Sequence, residues 1–262
     1  MMECETHDRD LRQKMLNGGA SDELVEQTKM RCLIILPTYN ERENLRAIVE
    51  SIQHYAPCAH ILIVDDNSPD GTGSLADKMS GRQPEKVFVL HRPQKEGLGR
   101  AYVAGFKFAL AADYDTIIQM DADLSHDPKY LPLFLERLRD SDLVLGSRYV
   151  KGGSVVNWDL KRLVLSKSAS MYVRLITRMP LTDMTGGFKC WRREALEAID
   201  LEGVFSNGYL FQVEMNYKAF RRKLRIAEVP IVFVERRMGR SKMQWGIIAE
   251  ALWGVVRLRL RR

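Results

Sequence analysis

An α/β fold, with a mostly parallel central sheet flanked by helices, is predicted by three features of this 262-residue chain. Short apolar strands alternate with amphipathic segments, the pattern of right-handed βαβ units. The strands are apolar on both faces, so the sheet is expected to be covered on both sides. Polar clusters follow three of the strands, at the carboxyl ends where open parallel sheets bind ligands.

Residues 1–29 are polar, have no apolar h-region, and read as a flexible leader without a secretory signal. The run Cys32-Leu33-Ile34-Ile35-Leu36 is the first strand, expected to stop at Pro37. Asn44 to Tyr55 places Leu45, Ile48, Val49 and Ile52 on one helical face. Ile61 to Val64 is the second strand, Gly71 to Met79 a helix, Val87 to Leu90 the third strand, and Gly99 to Ala112 a helix rich in small residues. Thr116 to Met120 is the fourth strand, Pro128 to Arg139 a helix, and Leu143 to Gly146 the fifth strand. After Val150 the regular alternation stops. Lys161 to Met179, Glu194 to Ile199 and Tyr209 to Arg221 read as helices, and Asp183 to Trp191 as a Gly-rich loop. Ile226 to Glu235 is a strand interrupted by Pro230, hence an edge. From Gly246 the apolar residues recur at helical spacing and end in arginines. Three parts follow: a leader at 1–29, one domain at 30–243, and an amphipathic basic helix at 244–262.

Composition narrows the function. An apolar fraction of 45% with 28% charge is that of a globular domain. No apolar run reaches the ~18 residues of a spanning helix, so the cytosol or the cytoplasmic face of a membrane is expected. Cys4, Cys32, Cys58 and Cys190 form no C-x-x-C pair; free structural thiols are expected rather than zinc ligands. The net charge of +6 is concentrated in Arg236, Arg237, Arg240 and Lys242 and in Arg257, Arg259, Arg261 and Arg262. Such clusters suit phosphates, although a single one is ordinarily solvated surface. Nucleic acid is not the expected partner. Acids at three strand ends would repel its backbone, and the basic runs lack interleaved aromatics beyond Trp245.

The triplet Asp121-Ala122-Asp123 follows the fourth strand. Two carboxylates in D-x-D spacing at a strand end can share one hard cation, Mg2+ or Mn2+, whose remaining oxygens come from a bound diphosphate. No G-x-G-x-x-G follows a strand, so neither a dinucleotide fingerprint nor a P-loop is present. Asp65 and Asp66 end the second strand. Such a carboxylate either bonds a nucleoside or closes a helix N-cap or Asx-turn.

Seven motifs in order carry a resemblance: Pro37-Thr38-Tyr39-Asn40-Glu41; Val64 to Thr72; Asp121 to His126; Arg92-Pro93 with Lys95 to Gly99; Gly146 to Tyr149; Asp183 to Phe188; and Gly239 to Met243. Together they resemble the inverting GT-A (Rossmann-like) glycosyltransferases of family two, and within them the dolichyl-phosphate (polyprenyl-phosphate) mannosyltransferases. The resemblance implies transfer of mannose from GDP-mannose to a polyprenyl (dolichyl) monophosphate, giving a polyprenyl β-mannosyl phosphate.

Carried over residue by residue, Pro37, Tyr39, Glu41, Asp65, Asp66 and Ala122 would line the donor nucleotide. Asp121 and Asp123 would hold the metal, with Ser125 where the family often has a metal-site glutamine. Arg148, Arg162 and Ser166 would grip the acceptor phosphate, and Arg148, Arg162 and Asp123 would be catalytic. Without the resemblance, Arg162 reads as a solvated helix face. Arg240 and Lys242 would close on the donor or acceptor as a lid. Gly186-Gly187 would let the backbone approach the sugar or acceptor, unless they form an ordinary turn. The wider family places an acid near Glu214 as catalytic base; a phosphate acceptor, already anionic at neutral pH, makes that base dispensable. Members without spanning helices are held by a small membrane partner. The helix from Gly246 would lie in the membrane interface or pack on the domain. UDP-glucose as donor and an inactive scaffold homologue are the rival readings.

Overall fold

The computed structural model describes residues 30–234 and 245–260. The leader, the Arg236–Lys242 cluster and the last two arginines fall outside them. A seven-stranded sheet has the order β3-β2-β1-β4-β7-β5-β8. Its strands are β1 (Cys32–Thr38), β2 (His60–Asp65), β3 (Val87–His91), β4 (Thr116–Gln119), β5 (Leu143–Ser147), β7 (Lys189–Arg192) and β8 (Ile226–Pro230). All neighbours pair in parallel except β7, which is antiparallel to both β4 and β5.

The crossovers are α1 (Arg42–Tyr55), α2 (Thr72–Arg82), α3 (Leu98–Ala111) and α4 (Leu131–Arg137), the last flanked by 3-10 turns at Pro128–Tyr130 and Leu138–Asp140. The helix expected over 128–139 is therefore in three pieces, with Pro128 and Pro132 at the starts of its first two turns. Asp127 caps it, accepting from the Lys129 amide at 3.0 Å.

Alternate residues of β1 face opposite ways, and both faces are buried. Leu33 and Ile35 pack with Tyr102, Phe106 and Phe211. Ile34 and Leu36 pack with Leu45, Ile48, Ile52 and Phe134. Both layers are buried and apolar, as two-sided apolar strands require.

Four expectations need correction. β1 runs through Pro37 to Thr38; the β4 ladder has ended by then, so the missing N–H leaves no bond unmade. The stretch expected as a loop through Trp191 contains β7, a strand inside the sheet with Lys189, Cys190 and Trp191 fully buried. The strand expected over Ile226–Glu235 divides at Pro230. β8 closes the sheet edge, as expected, while β9 (Val232–Val234) turns away to pair with β6 (Ser154–Val156) in a second, two-stranded sheet. Cys58 is disulfide-bonded, not free; Cys32 and Cys190 are free.

Three further helices complete the domain: α5 (Leu160–Thr177), the short α6 (Arg193–Glu197) and α7 (Gly208–Arg221). The C-terminal α8 (Trp245–Leu260) buries Val255 and Leu258 in the core beside α7. Gly254 permits this, because a Cβ there would meet the Leu210 side chain at 2.2 Å. Trp253 and Leu260 point outward and are exposed.

Candidate active site

The carboxyl ends of β1, β2, β4 and β5 open on one edge of the sheet, and the polar motifs sit there. Just past β1, the Tyr39 ring carries the Lys95 ammonium 3.6 Å from its centroid. Glu41 accepts from Asn44 Nδ2 at 2.8 Å, and Pro37 is buried.

The two acids ending β2 diverge. Asp65 accepts from Thr38 Oγ1 (2.9 Å), Ser68 Oγ (2.6 Å) and the Ser68 amide (3.1 Å), so it is the Asx-turn member that ties β1 to β2. Asp65, so tied, stays a proposed donor-nucleotide residue. Asp66 instead forms an ion pair with Arg92, 2.5 Å from Nη1. Arg92 also bonds Glu96. Burial raises the Asp66 pKa, against the pull of Arg92.

At the end of β4, Tyr102 of α3 donates to Asp121 Oδ1 at 2.8 Å. Burial, then the Asp121 charge, push the Tyr102 hydroxyl well above its ordinary pKa, so it stays a donor. The Asp121 amide donates to His126 Nδ1 at 3.1 Å, and the His126 ring stacks on Phe188. Asp123 Oδ1 accepts from the Ser125 amide (3.0 Å) and hydroxyl (2.5 Å). Leu124 has a φ of 64°, the bend that brings the chain back. Ser125 thus holds Asp123, and Ala122 between the acids is buried.

Among the described residues no group of three or more His, Cys, Asp or Glu side chains gathers as a ligand set. What the site offers is two hard oxygen donors. Asp121 Oδ2 faces Gly187, where a Cβ would come within 3.4 Å of it. That donor set fits a divalent ion that takes the rest of its shell from phosphate oxygens.

Arg148, just past β5, is nearly fully buried. Its Nε and Nη2 fork onto Asp183 at 2.6 and 2.7 Å, Nη2 reaches Thr185 Oγ1 at 2.8 Å, and its amide bonds Asp183 at 3.0 Å. Burial opposes both charges, but each outweighs that penalty for the other. The guanidinium pKa is raised and the Asp183 carboxyl is held below its ordinary range. Arg148 is therefore pre-paired rather than a free clamp, with Nη1 outside the fork. Arg162, near the start of α5, lies over the Trp158 ring at 4.4 Å, and Arg148 lies 5.4 Å from the same ring. Tyr149 donates to Ser166 Oγ at 2.6 Å. The three residues expected to grip the acceptor thus converge on Tyr149 and Trp158. Phe233 of β9 links this cluster to His126, at 5.5 Å from Arg148 and 5.7 Å from His126. Arg240 and Lys242 lie outside the described residues.

The Gly186-Gly187 pair makes a close approach to the protein itself. A Cβ on Gly186 would sit 2.8 Å from the Gly146 carbonyl, and one on Gly187 3.2 Å from His126. Glu214 is buried and accepts from the amides of Ser206 (3.0 Å) and Phe205 (3.3 Å) and from the Ser206 hydroxyl. It anchors the loop before α7.

Residues 33–200 match the model described as glycosyl transferase family 2. The chain belongs to glycosyl transferase family 2. This glycosyltransferase is 46% identical over 244 residues to polyprenol monophosphomannose synthase of Mycolicibacterium smegmatis, covering 91% of the chain and 92% of the relative. It is 48% identical over 228 residues to undecaprenyl-phosphate mannosyltransferase of Micrococcus luteus, with 87% and 93% covered. Among solved structures, glucosyl-3-phosphoglycerate synthase of Mycobacterium tuberculosis in complex with Mn2+, UDP and glucosyl-3-phosphoglycerate aligns with a TM-score of 0.64. That alignment has 17% identity and covers 93% of this chain and 84% of the other. It speaks to the GT-A fold alone.

Motif reading gave no role to Tyr102 or Trp158, and it quoted Asp183 within a motif without assigning it one. Asp183 carried a signal, a lone acid opening a Gly-rich segment. The other two gave none, being single aromatic residues within helix and loop patterns.

Proposed function

We propose that this glycosyltransferase moves mannose from GDP-mannose to a polyprenyl (dolichyl) monophosphate with inversion, giving a polyprenyl β-mannosyl phosphate. One observation carries the reading. The helix α5 begins at the acceptor-phosphate cluster, with Arg162 and Ser166, and continues as an exposed apolar face. Leu160, Val164, Met171 and Leu175 are 74%, 56%, 62% and 71% exposed. Lys161, Lys167, Arg174 and Arg178 are exposed beside them. A shallow groove of ≈ 520 Å³ along it is lined by Met171, Arg174, Leu175, Arg178 and Met179. A phosphate site running into a basic, apolar surface suits a lipid monophosphate presented at a membrane. The names of the two curated relatives point the same way.

An acceptor phosphate, dianionic near neutral pH, attacks the anomeric carbon through one oxygen. The bond from that carbon to the GDP β-phosphate oxygen breaks, and its electron pair leaves with GDP. No proton has to move, so a Glu214 already engaged with its loop is no obstacle. Arg148 and Arg162 orient the nucleophile, Trp158 spaces them, and Asp66 with Tyr39, Glu41, Pro37 and Ala122 seats the nucleoside. Asp121 and Asp123 would hold Mg2+ or Mn2+, which supplies charge stabilisation for the departing diphosphate when bound. Arg240 and Lys242 remain proposed lid residues. Among the described residues no helix is long and apolar enough to cross a membrane. The proposed location is peripheral, on the cytoplasmic face, with α5 and the outward face of α8 against the lipid or a small spanning partner.

Transfer of labelled sugar to a polyprenyl phosphate in detergent tests this, with GDP-mannose and UDP-glucose in parallel. Lipid-extractable label from GDP-mannose that vanishes in Asp123→Ala is expected. Label from UDP-glucose alone replaces the donor. No transfer from either favours a scaffold.

A further inference from the structure

The mechanism above leaves Glu228 unused, although two paths of hydrogen bonds lead from it to Arg148. Glu228 is the middle residue of β8, at the edge of the sheet, and its register partner is Leu145 of β5. Its carboxylate is bonded by Thr182 and Asp183, two consecutive residues of the segment between α5 and β7. Oε2 accepts from the Thr182 amide at 2.9 Å. Oε1 accepts from the Thr182 hydroxyl at 2.6 Å and from the Asp183 amide at 3.0 Å.

The first path reaches the Arg148 side chain. Glu228 holds the Asp183 amide, and the Asp183 carboxylate accepts from Arg148 Nε at 2.6 Å and Nη2 at 2.7 Å. The second path reaches the main chain beside Arg148. A carboxylate only accepts, so the Thr182 hydroxyl gives its proton to Glu228. Thr182 Oγ1 must then accept from Ser147 Oγ, 3.0 Å away. Ser147 Oγ in turn accepts from the Val150 amide at 3.3 Å. Ser147 is the last residue of β5 and directly precedes Arg148. One carboxylate therefore sets the direction of each hydroxyl along the turn that carries Arg148. Hydrogen bonds aligned in this way reinforce one another.

Glutamine at 228 would have the same size and one oxygen fewer. The Thr182 and Asp183 amides sit on different oxygens of Glu228, and a backbone N–H cannot turn round. Whichever way the glutamine lay, its NH2 would face one of these donors. We propose that Glu228 is a positioning residue for the acceptor phosphate. It sets Arg148 through Asp183 and through the Thr182–Ser147 chain, and with Arg148 the grip on the monophosphate. This rests on the reading of Arg148 as an acceptor-phosphate residue.

The test is steady-state transfer by the full chain, varying the polyprenyl phosphate and the sugar nucleotide in turn. Glu228→Gln disturbs both paths. Thr182→Val cuts the hydroxyl path and keeps the amide bond, so it serves if the first variant does not fold. Glu228→Gln should raise the KM for polyprenyl phosphate by about tenfold or more, as for a small misplacement of a group that orients a reactant. The KM for the sugar nucleotide should stay the same. Thr182→Val should move the acceptor KM the same way by less. An unchanged acceptor KM, or equal rises in both KM values, overturns the proposal. A merely structural Glu228 lowers the melting temperature and the fraction of active enzyme without separating the two substrates. Failure of both variants to fold also overturns it, because Glu228 then serves the fold. Arg148→Lys, which keeps the charge and loses the fork, tests the reading beneath. If it leaves the acceptor KM unmoved, or if the parent transfers nothing to polyprenyl phosphate, that reading falls and this inference with it. If Arg148→Lys raises the acceptor KM and Glu228→Gln does not, this inference falls alone.

Discussion

The proposed donor and acceptor sides of the site are fixed in opposite ways. On the donor side, apart from the Asp66–Arg92 ion pair, acids at the ends of β2 and β4 are oriented by small neutral donors: Thr38 and Ser68 on Asp65, Tyr102 on Asp121, Ser125 on Asp123. On the acceptor side, arginines are oriented by a buried carboxylate and aromatic faces, with Asp183 forked onto Arg148 and Trp158 beneath Arg162. Carboxylates held by hydroxyls keep lone pairs for a ligand. A guanidinium held by a buried ion pair loses stability as well as geometry when its partner goes. Substitutions on the donor side should therefore cost activity with little change in stability, and those on the acceptor side should cost both.

The largest effect is expected from Asp123→Ala. Transfer should fall by more than about a thousandfold, while the melting temperature moves by no more than a few degrees, since the Asp123 bonds to Ser125 lie within one local turn. A large drop in melting temperature would erase the contrast. Asp183→Ala comes next. It leaves Arg148 buried without its partner, which costs about 3–5 kcal/mol, and urea unfolding would read this directly. The same pair gives the acid limb. The Asp183 carboxyl titrates below its unfolded value of 3.8, so its contribution is complete above that pH and is lost as pH falls through the lower, folded value. The parent should weaken over that range more steeply than Asp183→Ala.

The same contrast explains what was legible in the sequence. β2 and β4 are apolar runs followed by acids, so local pattern alone places Asp66, Asp121 and Asp123 at the carboxyl ends of parallel strands on one edge. The acceptor side depends on chain that enters the sheet out of order. β7 is four residues long and begins with a lysine, so the run Lys189–Arg192 has no strand periodicity to read; its burial comes from β4 and β5 on either side. Trp158 and Phe233 meet Arg148 only because Pro230 turns β9 out to pair with β6. Asp65 and Asp66 are adjacent acids whose roles separate through Ser68 and Arg92. The position of Arg92 is set by the β2–β3 pairing that brings His91 beside Asp65.

Two smaller effects sharpen the acceptor side. Arg162→Ala should raise the KM for polyprenyl phosphate by about ten- to a hundredfold, the worth of a charged hydrogen bond, and leave the KM for the sugar nucleotide unchanged. A rise in both would move Arg162 to the donor. Replacing Val164 and Leu175 together by glutamate should lower flotation with anionic liposomes by about tenfold or more. Transfer to a short, detergent-soluble acceptor should persist. Unaltered flotation would assign the lipid surface to α8.

The smallest effect is expected from Ser125→Ala, and it bears on how the donor side is built. Ser125 touches Asp123 twice, through its amide and through its hydroxyl. Alanine removes the second bond and keeps the first, so the turn and the Asp123 rotamer should survive. A single neutral hydrogen bond is worth about 1 kcal/mol, so Mn2+ affinity and kcat/KM should each fall by about fivefold or less. A loss near a hundredfold in Mn2+ affinity would mean that the hydroxyl ligates the ion rather than bonding Asp123. The donor side would then rest on three ligands, Asp121, Asp123 and Ser125, and of its two bonds from Ser125 Asp123 would keep the one from the amide.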